Sequence, residues 1–168
     1  TCVEDFLNKI PDNSKVADIG CGNGKAMIYK SNLNFKGCDF SKNLVQICLN
    51  RGLNVIEGNV LNIPFNDNDF DYTICIAVIH HLSTKESRLK AIEELVRITK
   101  SGGEIFILCW AMKQDTDSKR KFTEQDNYID FCDKNKNILG KRYYYIFQNQ
   151  ELESLLPNNV EIIKSLYE

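Results

Sequence analysis

The stretch VADIGCGNGKAMIY, residues 16–29, sets three glycines at alternate positions between an apolar run and a segment of helical character. Glycine lets a chain turn with positive φ, approach a ligand without a Cβ in the way, and start a helix close against a strand. A strand over residues 15–19, a glycine turn and a helix over 24–31 are expected. The glycines are Gly20, Gly22 and Gly24, so the dinucleotide-binding spacing GxGxxG fails at Lys25. Asp18, just upstream, disfavours a phosphate at this helix start and suits a cationic or amino-bearing ligand.

The same strand–helix alternation continues outward. Residues 5–9 read as the end of a leading helix, before the turn Pro11, Asp12 and Asn13. Strands are expected over 35–39, 54–57, 70–77 and 104–110. A helix over 42–51 has Ser41 as its cap, and a second, capped by Thr84, carries Leu89, Ile92, Leu95, Val96 and Ile98 at helical spacing. Ser101, Gly102 and Gly103 read as the end of that helix. Strands joined by helices argue for an α/β fold, an open, mostly parallel sheet with helices on both faces. The regularity breaks over residues 112–142, a polar, lysine-rich insertion too long for an inert connection and read as a lid or binding element. Beyond it, 143–147 is strand-like, 149–156 a short helix stopped by Pro157, and 160–166 a last strand.

A chain of 168 residues fits one domain, 1–168, with a sizeable core. The net charge of −2 excludes a broadly basic nucleic-acid binder but leaves room for a local basic rim. No stretch approaches the roughly 20 apolar residues of a membrane span, and no membrane association is expected. The seven cysteines include no CxxC, and only two histidines are present. They read as small buried hydrophobes in a reducing compartment, with no metal site.

Asp39 ends the second strand, where a carboxylate accepts both hydroxyls of a ribose in this architecture. Asn59 follows the third strand and can address an adenine edge, with Phe40, Val60 and Ile79 to pack on its faces. An adenosine carrying a charged amino-acid tail fits these features together. The expected cofactor is S-adenosylmethionine, leaving as S-adenosylhomocysteine. Its expected contacts are Asp18, Gly20, Cys21, Gly22, Asn23, Gly24, Asp39, Phe40, Asn59, Val60, Ala77 and Val78.

The segments VADIGCGNGK, GCDFS, EGNVLNIPFNDNDFDYTICIAVIHHL and RITKSGGEIFI resemble the class I S-adenosylmethionine-dependent methyltransferases, with their Rossmann-like fold. That pattern has Asp where this chain has Asn59. Four further segments, AVIHHLSTKESRLKAIEELVRI, CWAMKQ, KFTEQDNYIDF and GKRYYYIF, resemble the eukaryotic tRNA wobble-uridine carboxymethyl methyltransferases. The resemblance implies methylation of the carboxylate of 5-carboxymethyluridine in the tRNA anticodon loop, giving the methyl ester. It implies a heterodimer with a small zinc-binding activator subunit; the expected location is the cytoplasm, with the nucleus as the alternative. Related chains carry a further N-terminal segment that closes the cofactor pocket and a final strand with an Asn-Trp pair. A sheet lacking its last strand is expected here.

A carboxylate is already ionised at neutral pH and needs no general base. The site must orient it and exclude water. Arg142, with a bidentate fork, is the first candidate for the substrate carboxylate or a phosphate; the alternative is a solvated rim residue. His81, after the fourth strand, is expected near the transferred methyl, with helix capping or packing as the alternative. Trp110 either stacks a uracil or sits in the core, and Tyr143 to Tyr145 either support the same wall or, as the default, pack in the core. Lys119, Arg120, Lys121, Lys134, Lys136, Lys141 and Arg142 make the insertion locally basic, for RNA phosphates or simply for water. The short third strand reads as a sheet edge open to the partner. A small-molecule O-methyltransferase and a noncatalytic module of the same fold remain open beside the tRNA reading. The failed GxGxxG disfavours a nicotinamide dehydrogenase.

Overall fold

A computed structural model of the chain describes residues 1–114, 118, 121–132, 135 and 137–167. It divides into two compact units, Thr1–Ile76 with Glu93–Leu108, and Ala77–Ile92 with Cys109–Glu168.

The first unit is a five-stranded parallel sheet of β1 (Lys15–Ile19), β2 (Asn34–Asp39), β3 (Val55–Glu57), β4 (Phe70–Ile76) and β5 (Thr99–Leu108), in the order β3-β2-β1-β4-β5. The central strand β1 buries Val16, Ala17, Asp18 and Ile19, as a strand covered on both faces does. It pairs Val16 with Phe35 on one side and with Tyr72 on the other. Strand order reverses between β1 and β4, and ligands of open α/β sheets bind at such a reversal, beyond the C-terminal strand ends. Three helices belong to this unit: α1 (Cys2–Lys9), α2 (Lys25–Tyr29) and α3 (Lys42–Asn50). The helix α1 ends at Lys9, as expected of residues 5–9, and begins at Cys2, where the Thr1 hydroxyl caps it, accepting from the Glu4 N–H at 3.3 Å. It lays Phe6 against Phe106, ring centroids 4.9 Å apart, and buries Leu7. Ser41 caps α3 as expected.

The helix α4 (Lys85–Ile98) is capped by Thr84, whose hydroxyl accepts from the Ser87 N–H at 3.1 Å. Its end corrects the sequence reading. The helix stops at Ile98 and β5 begins at once, so Ser101, Gly102 and Gly103 lie within the strand. Phe70 pairs with Thr99 but Tyr72 pairs with Glu104, so residues 100–103 form a bulge. Glycine makes that bulge: Gly102 has φ 78°, and a Cβ on Gly103 would stand 2.6 Å from the Asp71 carbonyl oxygen. Thr99 anchors the join, donating to the Leu95 carbonyl at 2.7 Å with its hydroxyl 2.7 Å from that of Thr73.

The second unit holds a 3-10 turn, Ile79–His81, the first part of α4, and an antiparallel hairpin of β6 (Asp126–Cys132) and β7 (Ile138–Tyr145). Much of the insertion over 112–142 is therefore ordered sheet. Ala111 bridges Phe147, with Met112 N–H donating to the Phe147 carbonyl at 2.8 Å. Two other expectations fail. The helix over 149–156 is reduced to turns and a 3-10 turn, Glu153–Leu155: Gln150 has φ 61°, outside the right-handed helical region. Residues 160–166 form no strand; Ile162, Ile163 and Leu166 are exposed.

Candidate active site

In the first unit the turn after β1 is held by its own backbone. The N–H groups of Gly20 and Cys21 both donate to the Cys38 carbonyl, at 2.8 and 3.1 Å. The Cys48 thiol donates to the Gly22 carbonyl at 3.3 Å and Arg51 to the Asn23 carbonyl at 2.6 Å. Gly20, Gly22 and Gly24 all have positive φ, at 71°, 56° and 77°. Gly22 and Gly24 are glycine for different reasons. A Cβ on Gly24 would stand 2.2 Å from Cδ1 of Leu53, whereas one on Gly22 would meet nothing within 4 Å. The backbone at Gly22 faces open space, as an approach to a ligand requires.

Asp39 is fixed beside this turn. One carboxylate oxygen accepts the Gly22 N–H at 2.8 Å and the other the Ser41 N–H at 2.9 Å. Each oxygen keeps lone-pair capacity for an incoming hydroxyl. Asp18 is 3% exposed, and its carboxylate accepts no hydrogen bond among the described residues. Burial, with the charge of Asp39 added, pushes its carboxyl up to about 7. A buried acid in that condition is stabilised by a cation beside it. Cys21 is buried, and its thiol is held well above the usual range. Phe40 is 76% exposed, an aromatic face without cover. Gly58 N–H donates to the Asp39 carbonyl at 3.0 Å and leads into a tight turn where Asn59 Oδ1 accepts the Leu61 N–H at 2.9 Å. That bond fixes the Asn59 amide and leaves its NH₂ free among the described residues. Val60 beside it is half-buried.

In the second unit Ala77 follows β4 with φ 60°, a conformation costing a non-glycine residue about 1–2 kcal/mol, and Val78 precedes the 3-10 turn. Ile79 is buried, a core residue in place of the adenine-packing role expected of it. His80 is 1% exposed, and its Nδ1 accepts the Trp110 N–H at 3.2 Å. Burial, followed by the charges of His81 and Arg142, pushes its pKa down to about 3. His81 is half-buried with Nδ1 2.9 Å from the Tyr143 carbonyl oxygen. Tyr144 stacks on His80 at 5.3 Å and meets His81 edge-on at 4.5 Å, while Trp110, half-buried, packs edge-on to Tyr144 and Phe122. Arg142 is exposed, with its guanidinium 4.4 Å from the Phe131 ring centre and no carboxylate partner among the described residues. The histidines, Trp110 and the tyrosine wall thus form one cluster. Of the basic residues expected to face RNA, Lys121, Lys141 and Arg142 are exposed; Lys119, Arg120, Lys134 and Lys136 lie outside the described residues.

Sequence reading missed Arg88. Its guanidinium lies 3.6 Å from the Tyr145 ring centre and donates to the Leu82 carbonyl at 2.9 Å, while its Nε, buried, has no partner among the described residues. The signal was available: Arg88 sits one turn before Ile92 and two before Leu95, on the buried stripe of α4.

The methyltransferase-domain family model matches residues 17–107. A tRNA (carboxymethyluridine(34)-5-O)-methyltransferase of Schizosaccharomyces pombe is 36% identical over 92% of this chain and 76% of its own length. A mouse protein named probable tRNA methyltransferase 9B is 46% identical over 74% of this chain, but the match spans only 27% of that relative. Among solved structures, a Methanosarcina mazei methyltransferase superposes with a TM-score of 0.71 at 18% identity, over 90% of this chain and 81% of that one. A Haloferax volcanii methyltransferase, solved in complex with a methyltransferase activator, gives 0.54 at 23% identity over 62% of this chain and 49% of that one.

Proposed function

We propose that this chain, which belongs to the methyltransferase-domain family and within it to the tRNA (carboxymethyluridine(34)-5-O)-methyltransferases, methylates the carboxylate of 5-carboxymethyluridine at the tRNA wobble position. The product is the methyl ester. The observation that carries the reading is Asp39, oriented by two backbone N–H groups beside an open glycine turn. The S. pombe relative supplies the acceptor.

The residues fit the donor. Asp39 would accept the ribose hydroxyls, and Asp18, buried without a partner among the described residues, would take the ammonium of the amino-acid tail. Gly20 to Gly24 would let the backbone lie against that tail, with Phe40, Asn59 and Val60 at the adenine. S-adenosylmethionine, when bound, supplies an electrophilic methyl on a sulfonium. No proton moves when a carboxylate oxygen takes that methyl, so the protein needs no base and acts by holding the two groups in line. Arg142 would hold the carboxylate, and Trp110 and Tyr144 would give the base an aromatic wall. Lys121 and Lys141 would meet RNA phosphates. The proposed partner is a small zinc-binding activator. A structural neighbour solved in complex with a methyltransferase activator supports a partner of that kind, as does the position of β3, a sheet edge with Ile56 36% exposed.

The test is transfer of labelled methyl from S-adenosylmethionine to tRNA bearing 5-carboxymethyluridine, with and without the activator. Label on that tRNA alone, lost in Asp39→Ala, is expected. Label on tRNA lacking the carboxymethyl group, or cofactor binding with no transfer under either condition, would refute the reading.

A further inference from the structure

The adjacent histidines of the second unit are held as opposite tautomers. Nδ1 of His81 lies 2.9 Å from the Tyr143 carbonyl oxygen. A carbonyl only accepts, so the ring proton is on Nδ1 and Nε2 carries the lone pair. His80 is the reverse: its Nδ1 receives the Trp110 N–H, so its proton is on Nε2. Burial holds His81 neutral, assisted by the charge of Arg142 and opposed by the bond to Tyr143. Nε2 of His81 has no partner among the described residues. The hairpin sets what surrounds it. Register pairs Asn127 with Tyr144, Ile129 with Arg142 and Phe131 with Gly140, so Tyr144, Arg142 and Phe131 share one face. Tyr144 on that face touches the His81 ring.

We propose, resting on the function above, that Nε2 of His81 accepts a hydrogen bond from the acceptor nucleoside, from either the uracil N3–H or the ribose 2′-hydroxyl, and that it does not touch the carboxylate. An ionised carboxylate has no proton to give, and a lone pair aimed at it repels. Arg142, all donor, suits the carboxylate; His81 suits the group the carboxylate is attached to. The two side chains thereby read different parts of one nucleotide. If N3–H is the donor, His81 also rejects cytosine, whose N3 is an acceptor.

Two experiments test this. Long-range proton–nitrogen NMR on the free protein reads the tautomer without any RNA: Nδ1 protonated is expected, and Nε2 protonated overturns the inference while leaving the proposed activity untouched. Binding is then measured for anticodon stem-loop RNA carrying 5-carboxymethyluridine, its N3-methyl form, its 2′-deoxy form and its uncharged carbamoylmethyl form, on the wild type and on His81→Ala. One of the first two analogues should bind the wild type about tenfold more weakly than the parent, and as well as the parent to His81→Ala. Which one does so identifies the donor. If His81→Ala instead abolishes discrimination against the carbamoylmethyl form, His81 contacts the carboxylate and the inference is wrong. It is equally wrong if neither donor-lacking analogue is discriminated by the wild type. Failure of every RNA to bind would refute the tRNA reading itself.

Discussion

Replacing Gly24 or Gly22 by alanine should separate folding from cofactor binding. Both positions have positive φ, 77° and 56°, which costs an alanine about 1–2 kcal/mol. The smaller freedom of the unfolded alanine chain takes about 0.5 kcal/mol more from the unfolded state and offsets part of that. At Gly22 nothing further is met, so a net loss of about 1 kcal/mol is expected. At Gly24 the new Cβ would sit 2.2 Å from Leu53 Cδ1 and 3.2 Å from Cys48 Sγ. Ordinary carbon contacts are ~3.5–4 Å, so Leu53 must move, and overpacking of this kind adds about 1–3 kcal/mol. The total for Gly24→Ala is about 2–4 kcal/mol, a fall in the urea midpoint of about 1–2 M for a slope near 2 kcal/mol/M. Cofactor affinity should order the other way. The Gly22 methyl projects into the space proposed for the donor, so calorimetric affinity for S-adenosylmethionine should drop at least tenfold for an otherwise folded protein. Equal stability losses, or undiminished affinity in Gly22→Ala, would refute this account of the turn.

Asp39→Ala removes two charge-assisted acceptors and strands the Gly22 and Ser41 N–H groups; cofactor affinity should fall roughly 100-fold or more, read by the same calorimetry. Asp18 gives a pH signature. Its carboxyl is raised to about 7 when folded, against ~3.9 when unfolded. Between those values the folded state holds a proton that the unfolded state has released, so this residue's contribution makes stability fall as pH rises through the window. Asp18→Asn should abolish that fall in denaturation curves recorded from pH 4 to 8. Binding of a cationic donor favours the ionised acid, so binding below pH 7 should release a proton, detected as a dependence of binding enthalpy on buffer ionisation. Glu94 is 5% exposed, accepts the Ile63 N–H at 2.8 Å and binds Arg97. Glu94→Ala should cost about 3 kcal/mol in a thermal or urea melt.

The first unit was nearly all legible, because its strands are short runs ended by glycine or polar turns, and β1 and β2 each lead directly into a helix. The error at Ser101 to Gly103 came from reading two glycines as a helix stop. They serve a bulge instead, and only the pairing of Tyr72 with Glu104 reveals it. The hairpin β6–β7 stayed hidden because both faces mix aromatic and charged residues. Tyr128 and Asp130 lie on one face and Ile129 and Arg142 on the other, so no apolar alternation marks either. At the site, Asp18, Asp39 and the glycines announced themselves by residue type and spacing. The tautomers of His80 and His81 depend on main-chain groups of Trp110 and Tyr143, 30 and 62 positions away, which no local pattern encodes.

One device in the first unit ties distant parts of the chain to a common fate. The connection from β3 to β4, residues 58–69, crosses without a helix of its own. Arg97 bonds the carbonyls of Ile63 and Phe65 and the Asp67 carboxylate, Glu94 takes the Ile63 N–H, and the Asn68 and Asp69 N–H groups donate to the Arg97 and Ile98 carbonyls. The end of α4 is thus completed by the crossover, and the crossover is shaped by α4. Neither can open while the other stays closed, so amide exchange at Ile63, Asn68 and Asp69 should be as slow as in the last turn of the helix. The residues that carry the Asn59 turn would inherit the rigidity of a helix 35 positions further along the chain.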